Sequence, residues 1–259
     1  MIILKTRIFN NKRSLLYTIF FTIVFFVLNT AMGGYNYPRD IMFSGYKWEV
    51  KGSGEKIPPH DNYFNASARN VWVDLSGRLH LRIVKRKDRW LCSEVISLKS
   101  FGYGRYIFYV DSDVAELDKN VIAGFFTWDT APDYSHREID IEFGTWGGQL
   151  RGFNAQYVVQ HNFIREKNLF RFLIEKNKGP TVHMFEWLPG KIFFHSNYGK
   201  KLSFERGDII AEWSYKGNNI QRPGNEKVRI NLYLYKALPP ANGENAEIII
   251  RRFKFDRLK

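Results

Sequence analysis

The sequence predicts an all-β protein, built as an antiparallel sandwich of two sheets with a curved, concave cleft across one of them. Three observations carry this. After residue 33 no stretch shows a convincing helical period. About a dozen short alternating runs follow each other, separated by regular turn signals, which is the pattern of a two-sheet sandwich. One of these runs, His136-Arg137-Glu138-Ile139-Asp140-Ile141-Glu142-Phe143-Gly144, alternates three carboxylates with three apolar residues.

The elements follow in chain order. Residues 1–14 hold Lys5, Arg7, Lys12 and Arg13 and no acid, and residues 15–28 are apolar except for Thr18 and Thr22. Small residues follow at Thr30, Ala31, Gly33 and Gly34. A basic segment, a short apolar core and small residues read as a secretory signal over residues 1–33. The apolar run is short for a spanning helix, which needs about 20 residues. The alternative is an uncleaved membrane anchor over residues 15–32. No cysteine lies near, which excludes a lipoprotein anchor. The remainder, 34–259, reads as one domain without linker or repeat.

Residues 34–60, rich in Gly, Pro and charge, read as an extended lead-in with one or two edge strands. Strands are expected at 71–75, 78–85, 91–98 and 105–110, with turns at Ser76-Gly77, 85–89 and 101–104. Residues 121–128 are apolar on both faces and should form a central, buried strand. After the acidic strand, 149–161 and 181–187 are strand-like. Pro189-Gly190 turns the chain into a strand at 191–196. A loop at 216–227 precedes the closing strands 228–235 and 246–255.

In the acidic strand, period-two alternation puts Glu138, Asp140 and Glu142 on one face and Ile139, Ile141 and Phe143 on the other. Neighbouring acids then sit roughly 6.5–7 Å apart at Cα. Like charges that close push at least one pKa up. Glycoside hydrolysis needs this: one carboxylic acid kept protonated beside one carboxylate kept ionised. Glu138 and Glu142 are roughly 13 Å apart at Cα on a straight strand. A retaining mechanism needs carboxyl groups about 5–5.5 Å apart. The strand must therefore curve, with both side chains leaning over a concave face. The same alternation also describes an ordinary half-exposed strand with acids outside and isoleucines inside.

Composition narrows the classes. Aromatic residues make up 17% of the chain, which suits β-strands and sugar-stacking surfaces. The formal net charge is +13. Removing 1–33 leaves 35 basic and 26 acidic residues, a net +9. A basic balance fits an acidic polysaccharide, an anionic envelope or solubility. No nucleic-acid motif accompanies it, so nucleic acid is not an expected partner. Cys92, the only cysteine, gives no disulfide framework and reads as a small core residue. His136 and His161 lack metal-ligand spacing, so no metal and no cofactor are expected.

The acidic strand resembles the Glu-x-Asp-x-Glu signature of glycoside hydrolase family 16, and most closely its bacterial lichenases. Further blocks in the same order extend the resemblance over most of the chain after residue 62. They are Tyr63-Phe64-Asn65 with Arg69-Asn70-Val71, Leu91-Cys92-Ser93-Glu94 with Tyr103-Gly104-Arg105-Tyr106, the hairpin from His183 to Ile192, and Arg229-Ile230-Asn231-Leu232-Tyr233. The motif lacks the extra residue found before the last Glu in laminarinases, agarases and carrageenases. The resemblance implies a jelly-roll (concanavalin A-like) sandwich and a secreted, monomeric, retaining endo-β-glucanase, with β-1,3-1,4-glucan as the expected polysaccharide substrate. It implies Glu138 as nucleophile, Glu142 as acid/base and Asp140 as the residue tuning the pair. It implies sugar contacts at Asn65, Glu94, Gln156 and Tyr233, and Trp146 reads as lining the cleft or filling the core. For Tyr233 a packed aromatic is an equal reading, and Trp128 reads as core because it ends a buried strand. The same resemblance leaves a wall-glycan transglycosylase and a non-catalytic carbohydrate binder as alternatives. Departures lie at Ser135-His136-Arg137, where lichenases carry a Trp, and at Ile96, where they carry an Arg. Ile250-Arg251-Arg252-Phe253 stands where some bind calcium, so none is expected there.

Overall fold

The computed structural model describes residues 38–160, 168–216 and 220–258. The expected signal or anchor segment and His161 lie outside them. Among the described residues the chain forms β1 (Arg39–Phe43), β2 (Tyr46–Val50), β3 (Tyr63–Phe64), β4 (Val71–Val73), β5 (Leu79–Arg86), β6 (Arg89–Ser97), β7 (Gly104–Val110) and β8 (Val121–Trp128). It continues with β9 (Ile139–Phe143), β10 (Ala155–Val159), β11 (Leu169–Phe172), β12 (Thr181–Leu188), β13 (Lys191–Tyr198), β14 (Ile209–Tyr215), β15 (Lys227–Leu234) and β16 (Ala246–Asp256). No described helix is long and apolar enough to cross a membrane.

Two sheets result. The first runs β1-β2-β6-β15-β8-β9-β10-β11, and the second runs β4-β5-β16-β7-β12-β13-β14. The β5–β6 hairpin joins them. Its β5 half pairs with β16 through Ile83, its tip pairs Val84 to Leu91, and its β6 half pairs with β15 from Ser93. The pairings are antiparallel except that of β3 with β6. The expected two-sheet antiparallel sandwich is the architecture found.

The period-two alternation decides what is buried. Ala123, Phe125 and Thr127 of β8, Ile139, Ile141 and Phe143 of β9, and Val228, Ile230 and Leu232 of β15 are all buried. They meet the inner face of the second sheet. Phe125 stacks on Phe108 at 5.0 Å, and Tyr157 stacks on Phe194 at 4.8 Å. Such aromatic pairs each add about 0.5–1.5 kcal/mol beyond area burial. The other face of β6, β15, β8, β9 and β10 is left free to line a cleft.

Several boundaries differ from the expectation. β9 begins at Ile139, because Ser135–Arg137 form a 3₁₀ turn. The strand expected from residue 149 begins at Ala155, because Gly147, Gly148 and Gly152 hold positive φ in the preceding turn. β11 and β14 lie where no strand was expected; Phe170 and Phe172 of β11 and Trp213 of β14 cover Tyr157 and Phe194 at the sandwich edge.

Candidate active site

Register assembles the site from strands distant in sequence. Gln156 lies opposite Glu142, Glu142 opposite Gly124, Gly124 opposite Asn231 and Asn231 opposite Glu94. One row of five cleft-facing positions thus crosses the sheet. The next row runs Val158, Asp140, Phe126, Arg229 and Ile96. Glu138 extends the ladder beyond β9: its backbone is extended (φ −85°, ψ 121°) and its carbonyl accepts from Gln160 N at 3.0 Å.

These rows floor a cleft of about 380 Å³, lined by all three acids together with Glu94, Gly124, Phe126, Trp128, Arg229, Asn231 and Tyr233. Lys51 and the Ile57–Pro59 segment close one side; the Pro58–Pro59 peptide is cis. Gly124 keeps the floor open. A Cβ there would stand 2.7 Å from Asn231 Oδ1, closer than real side chains approach.

Asp140 is buried, Glu138 and Glu142 are half-buried, and the three interact. Burial first, then the charge of Glu142, push Glu138 up to about 7. Burial, then the charges of Glu138 and Glu142, push Asp140 well above the usual carboxylate range. Asp140 and Glu138 are hydrogen-bonded, which favours the proton on Asp140 and the charge on Glu138. Gln160 Nε2 donates to Asp140 Oδ2 at 3.2 Å. Glu142 is raised by burial, and Gln156 Nε2, donating to its Oε2 at 2.7 Å, holds it back. A neutral acid and a charged carboxylate can therefore coexist on one strand face near neutral pH.

The backbone before Glu138 is held in an unusual form. Tyr134, Ser135, His136 and Arg137 all have φ between 52° and 60°, a region costing non-glycine residues roughly 1–2 kcal/mol each. Side chains fix it. Buried Arg137 pairs with Asp129 at 3.0 Å and donates to the Arg222 carbonyl at 2.9 Å. The His136 ring donates through Nδ1 to the Asp129 carbonyl at 2.9 Å and stacks on Trp128 at 5.0 Å.

The sequence-derived site residues divide. Glu138, Asp140, Glu142, Glu94 and Tyr233 line the cleft, and Gln156 reaches it through Glu142. Glu94 is buried between two cations, Lys51 and Arg229, each at 2.8 Å. Tyr233 is both packed and cleft-lining: it is 5% exposed, and His60 stacks on it at 5.9 Å. Asn65 is buried, and its Oδ1 accepts from Ser67 N at 3.0 Å; it is not among the lining residues. Trp146, half-buried in the turn after β9, packs against the core and does not line the cleft. Trp128 corrects the core expectation. It is half-buried and cleft-facing, with the Arg229 guanidinium 4.5 Å from its ring, because it shares parity with Gly124 and Phe126. Sequence reasoning passed over Lys51, Arg229 and Asn231. Parity with Tyr233 marks positions 229 and 231, whereas only the tertiary path of the lead-in brings Lys51 there.

No protein-family model matches the chain, and no curated protein matches its sequence. Solved structures do match. A Bacillus licheniformis β-glucanase superposes with a TM-score of 0.60 at 18% identity, over 88% of this chain and 100% of that one. A prokaryotic β-1,3-1,4-glucanase (lichenase) from a mouse hindgut metagenome gives 0.56 at 18% identity, over 86% and 99%. A Bacteroides ovatus family 16 endo-glucanase, in complex with G4G3G-2F-DNP, gives 0.58 at 12% identity, over 85% and 99%. The chain therefore has the jelly-roll fold of the family 16 β-glucanases, the fold that its acidic strand led us to expect.

Proposed function

We propose that the chain is a glycosidase of family 16, a retaining endo-β-glucanase whose first substrate to test is β-1,3-1,4-glucan. The observation that carries this is the trio of Glu138, just before β9, and Asp140 and Glu142 on its cleft face: Asp140 is buried, the two glutamates are half-buried and open to the cleft, and all three have raised proton affinities. A sugar-binding surface without chemistry gains nothing from three mutually repelling acids held partly or wholly out of water, each of which costs desolvation.

The mechanism assigns each acid one task. The Glu138 carboxylate attacks the anomeric carbon as Glu142 gives its proton to the leaving glycosidic oxygen, so the C–O bond breaks and a glycosyl ester forms on Glu138. Glu142, now charged, takes a proton from water, whose oxygen displaces Glu138 from the anomeric carbon. Asp140, holding its proton toward Glu138, stabilises the carboxylate before attack and after release. Asn231, whose buried Oδ1 has no hydrogen-bond partner among the described residues, accepts from a sugar hydroxyl. Trp128 and Tyr233 offer apolar surface to sugar faces. The enzyme acts outside the cytoplasm as a domain beginning near residue 34.

The test is reducing-sugar release from mixed-linkage β-glucan, β-1,3-glucan, xyloglucan and a sulfated galactan, with Glu142→Gln as control. Cleavage of mixed-linkage glucan is expected, with kcat falling about 10²–10⁴-fold in the control. Silence of the folded protein on all four would overturn the hydrolase reading.

A further inference from the structure

Ten cations line two grooves on the second sheet, and the cleft chemistry uses none of them. The first groove, of about 550 Å³, lies between β7, β16 and the turn after β13. Arg105, Lys200, Lys201, Arg251, Arg252 and Lys254 line it, against one lining carboxylate, Asp256. The second, of about 410 Å³, lies at the β4–β5 end of the same sheet and is lined by Arg69, Arg82, Lys85 and Arg86; Arg82 pairs with Glu247 at 3.5 Å, outside the lining. From residue 34 onward the chain holds 35 basic and 26 acidic residues, and ten of the cations line these two grooves.

A fold irregularity builds the first groove. The β16–β7 register shifts between Ile250 and Arg252, leaving Arg251 as an extra residue. A bulge of this kind turns two successive side chains to one face. Both guanidiniums accordingly lie near the Tyr109 ring, at 5.8 Å and 6.0 Å. Arg251 also donates to the Lys200 carbonyl at 3.0 Å, tying the turn to the strand. Arg105, Arg251 and Lys254 are neutralised by Glu186, Asp111 and Asp256 at 2.7, 3.1 and 2.8 Å. Lys200, Lys201 and Arg252 have no carboxylate partner among the described residues.

We propose that this outer face is a second, non-catalytic site that holds a linear anionic polysaccharide across both grooves. Along β16 the grooves are separated by roughly 20–25 Å at about 3.3 Å per residue, a span suited to a polymer rather than a small anion. The aromatic rings argue against nucleic acid: two arginines lie against Tyr109, and His80 covers Trp72 at 4.4 Å. Single-strand binders need open rings for base stacking; here cations and hydrogen-bond donors do the reading. A bilayer is met by protruding apolar side chains, whereas of the two aliphatic residues lining the first groove Ile107 is buried and Leu202 half-buried among the cations. The site does not depend on the hydrolase reading.

The experiment measures binding of the full chain to polygalacturonate, with dextran, a single-stranded oligonucleotide and phosphatidylglycerol vesicles in parallel, at low and high salt. Polygalacturonate alone should bind, and salt should release it. Lys200→Glu/Lys201→Glu/Arg252→Glu should weaken binding about tenfold or more. Arg69→Glu/Lys85→Glu should weaken it separately. Both variants should keep the wild-type melting temperature and glucan turnover, and Glu142→Gln should bind as wild type does. Wild-type affinity in both charge-reversed variants would overturn the proposal, as would capture of vesicles or oligonucleotide in place of polygalacturonate. Absence of glucanase activity with these binding results intact would sink only the catalytic reading.

Discussion

At the scale of single residues, the Gln156–Glu142 hydrogen bond sets how long Glu142 keeps its proton. The 2.7 Å contact favours the charged form of Glu142 and offsets part of the upward push of burial. Gln156→Leu removes the donor, so Glu142 should hold its proton to higher pH. The alkaline limb of kcat/KM should move upward, and a limb that stays put would show that another group is the acid. Glu138 allows a separate test through stability. Its pKa rises from 4.5 in the unfolded chain to about 7 in the fold. Below pH 4.5 it is neutral in both states. Between about pH 4.5 and 7 the unfolded chain ionises first, so folding stability falls as pH rises. Glu138→Gln should therefore raise the melting temperature at pH 8 by the equivalent of up to roughly 3 kcal/mol. The gain should vanish by pH 4, while turnover is lost throughout. A variant no more stable than wild type at pH 8 would mean that its surroundings do not raise the proton affinity of Glu138.

At the scale of elements, β8 shows how one glycine serves the sheet. Gly124 occupies the cleft face of a strand buried between β9 and β15, where a Cβ would collide with Asn231. Gly124→Ala should cost about 1–3 kcal/mol through overpacking and raise KM by displacing Asn231. Thermal unfolding and steady-state kinetics check both, and an unchanged KM would remove Asn231 from the sugar-binding surface. β8 was legible from residues 121–128, because a strand covered on both faces reads as a continuous apolar run. β9 was legible in parity but not at its start. The chain before Glu138 uses left-handed backbone at four non-glycine residues, held by contacts of Arg137 and His136 with Asp129 and Trp128. No local sequence signal marks such a turn, because long-range partners stabilise it.

At the scale of the molecule, one thiol reports on the whole sandwich. Cys92 is buried where β3 meets β6, its Sγ lies 3.4 Å from Asn62 Oδ1, and burial pushes its pKa up to about 12. A thiol reagent should leave the native protein unmodified and label it only as denaturant unfolds it, with the labelling curve following the fluorescence curve. Labelling well before the fluorescence change would mean that the β3–β6 region opens by itself. The same burial explains why Cys92 reads correctly from sequence as a core residue. Asn65 and Trp146 show the opposite case: their place relative to the cleft depends on loops whose path no periodicity encodes. Alternation along the chain determined the class of the fold, the side chains sharing a face, and the gathering of Glu138, Asp140 and Glu142 on one strand, because these follow from a local period of two. Tertiary structure alone decided that Gln156 meets Glu142, that Lys51 and Arg229 converge on Glu94, and that Trp128 faces the cleft. Those facts depend on register between strands far apart in sequence and on how the sheet folds over at the β5–β6 hairpin, and both are set by burial of the two inner faces against each other.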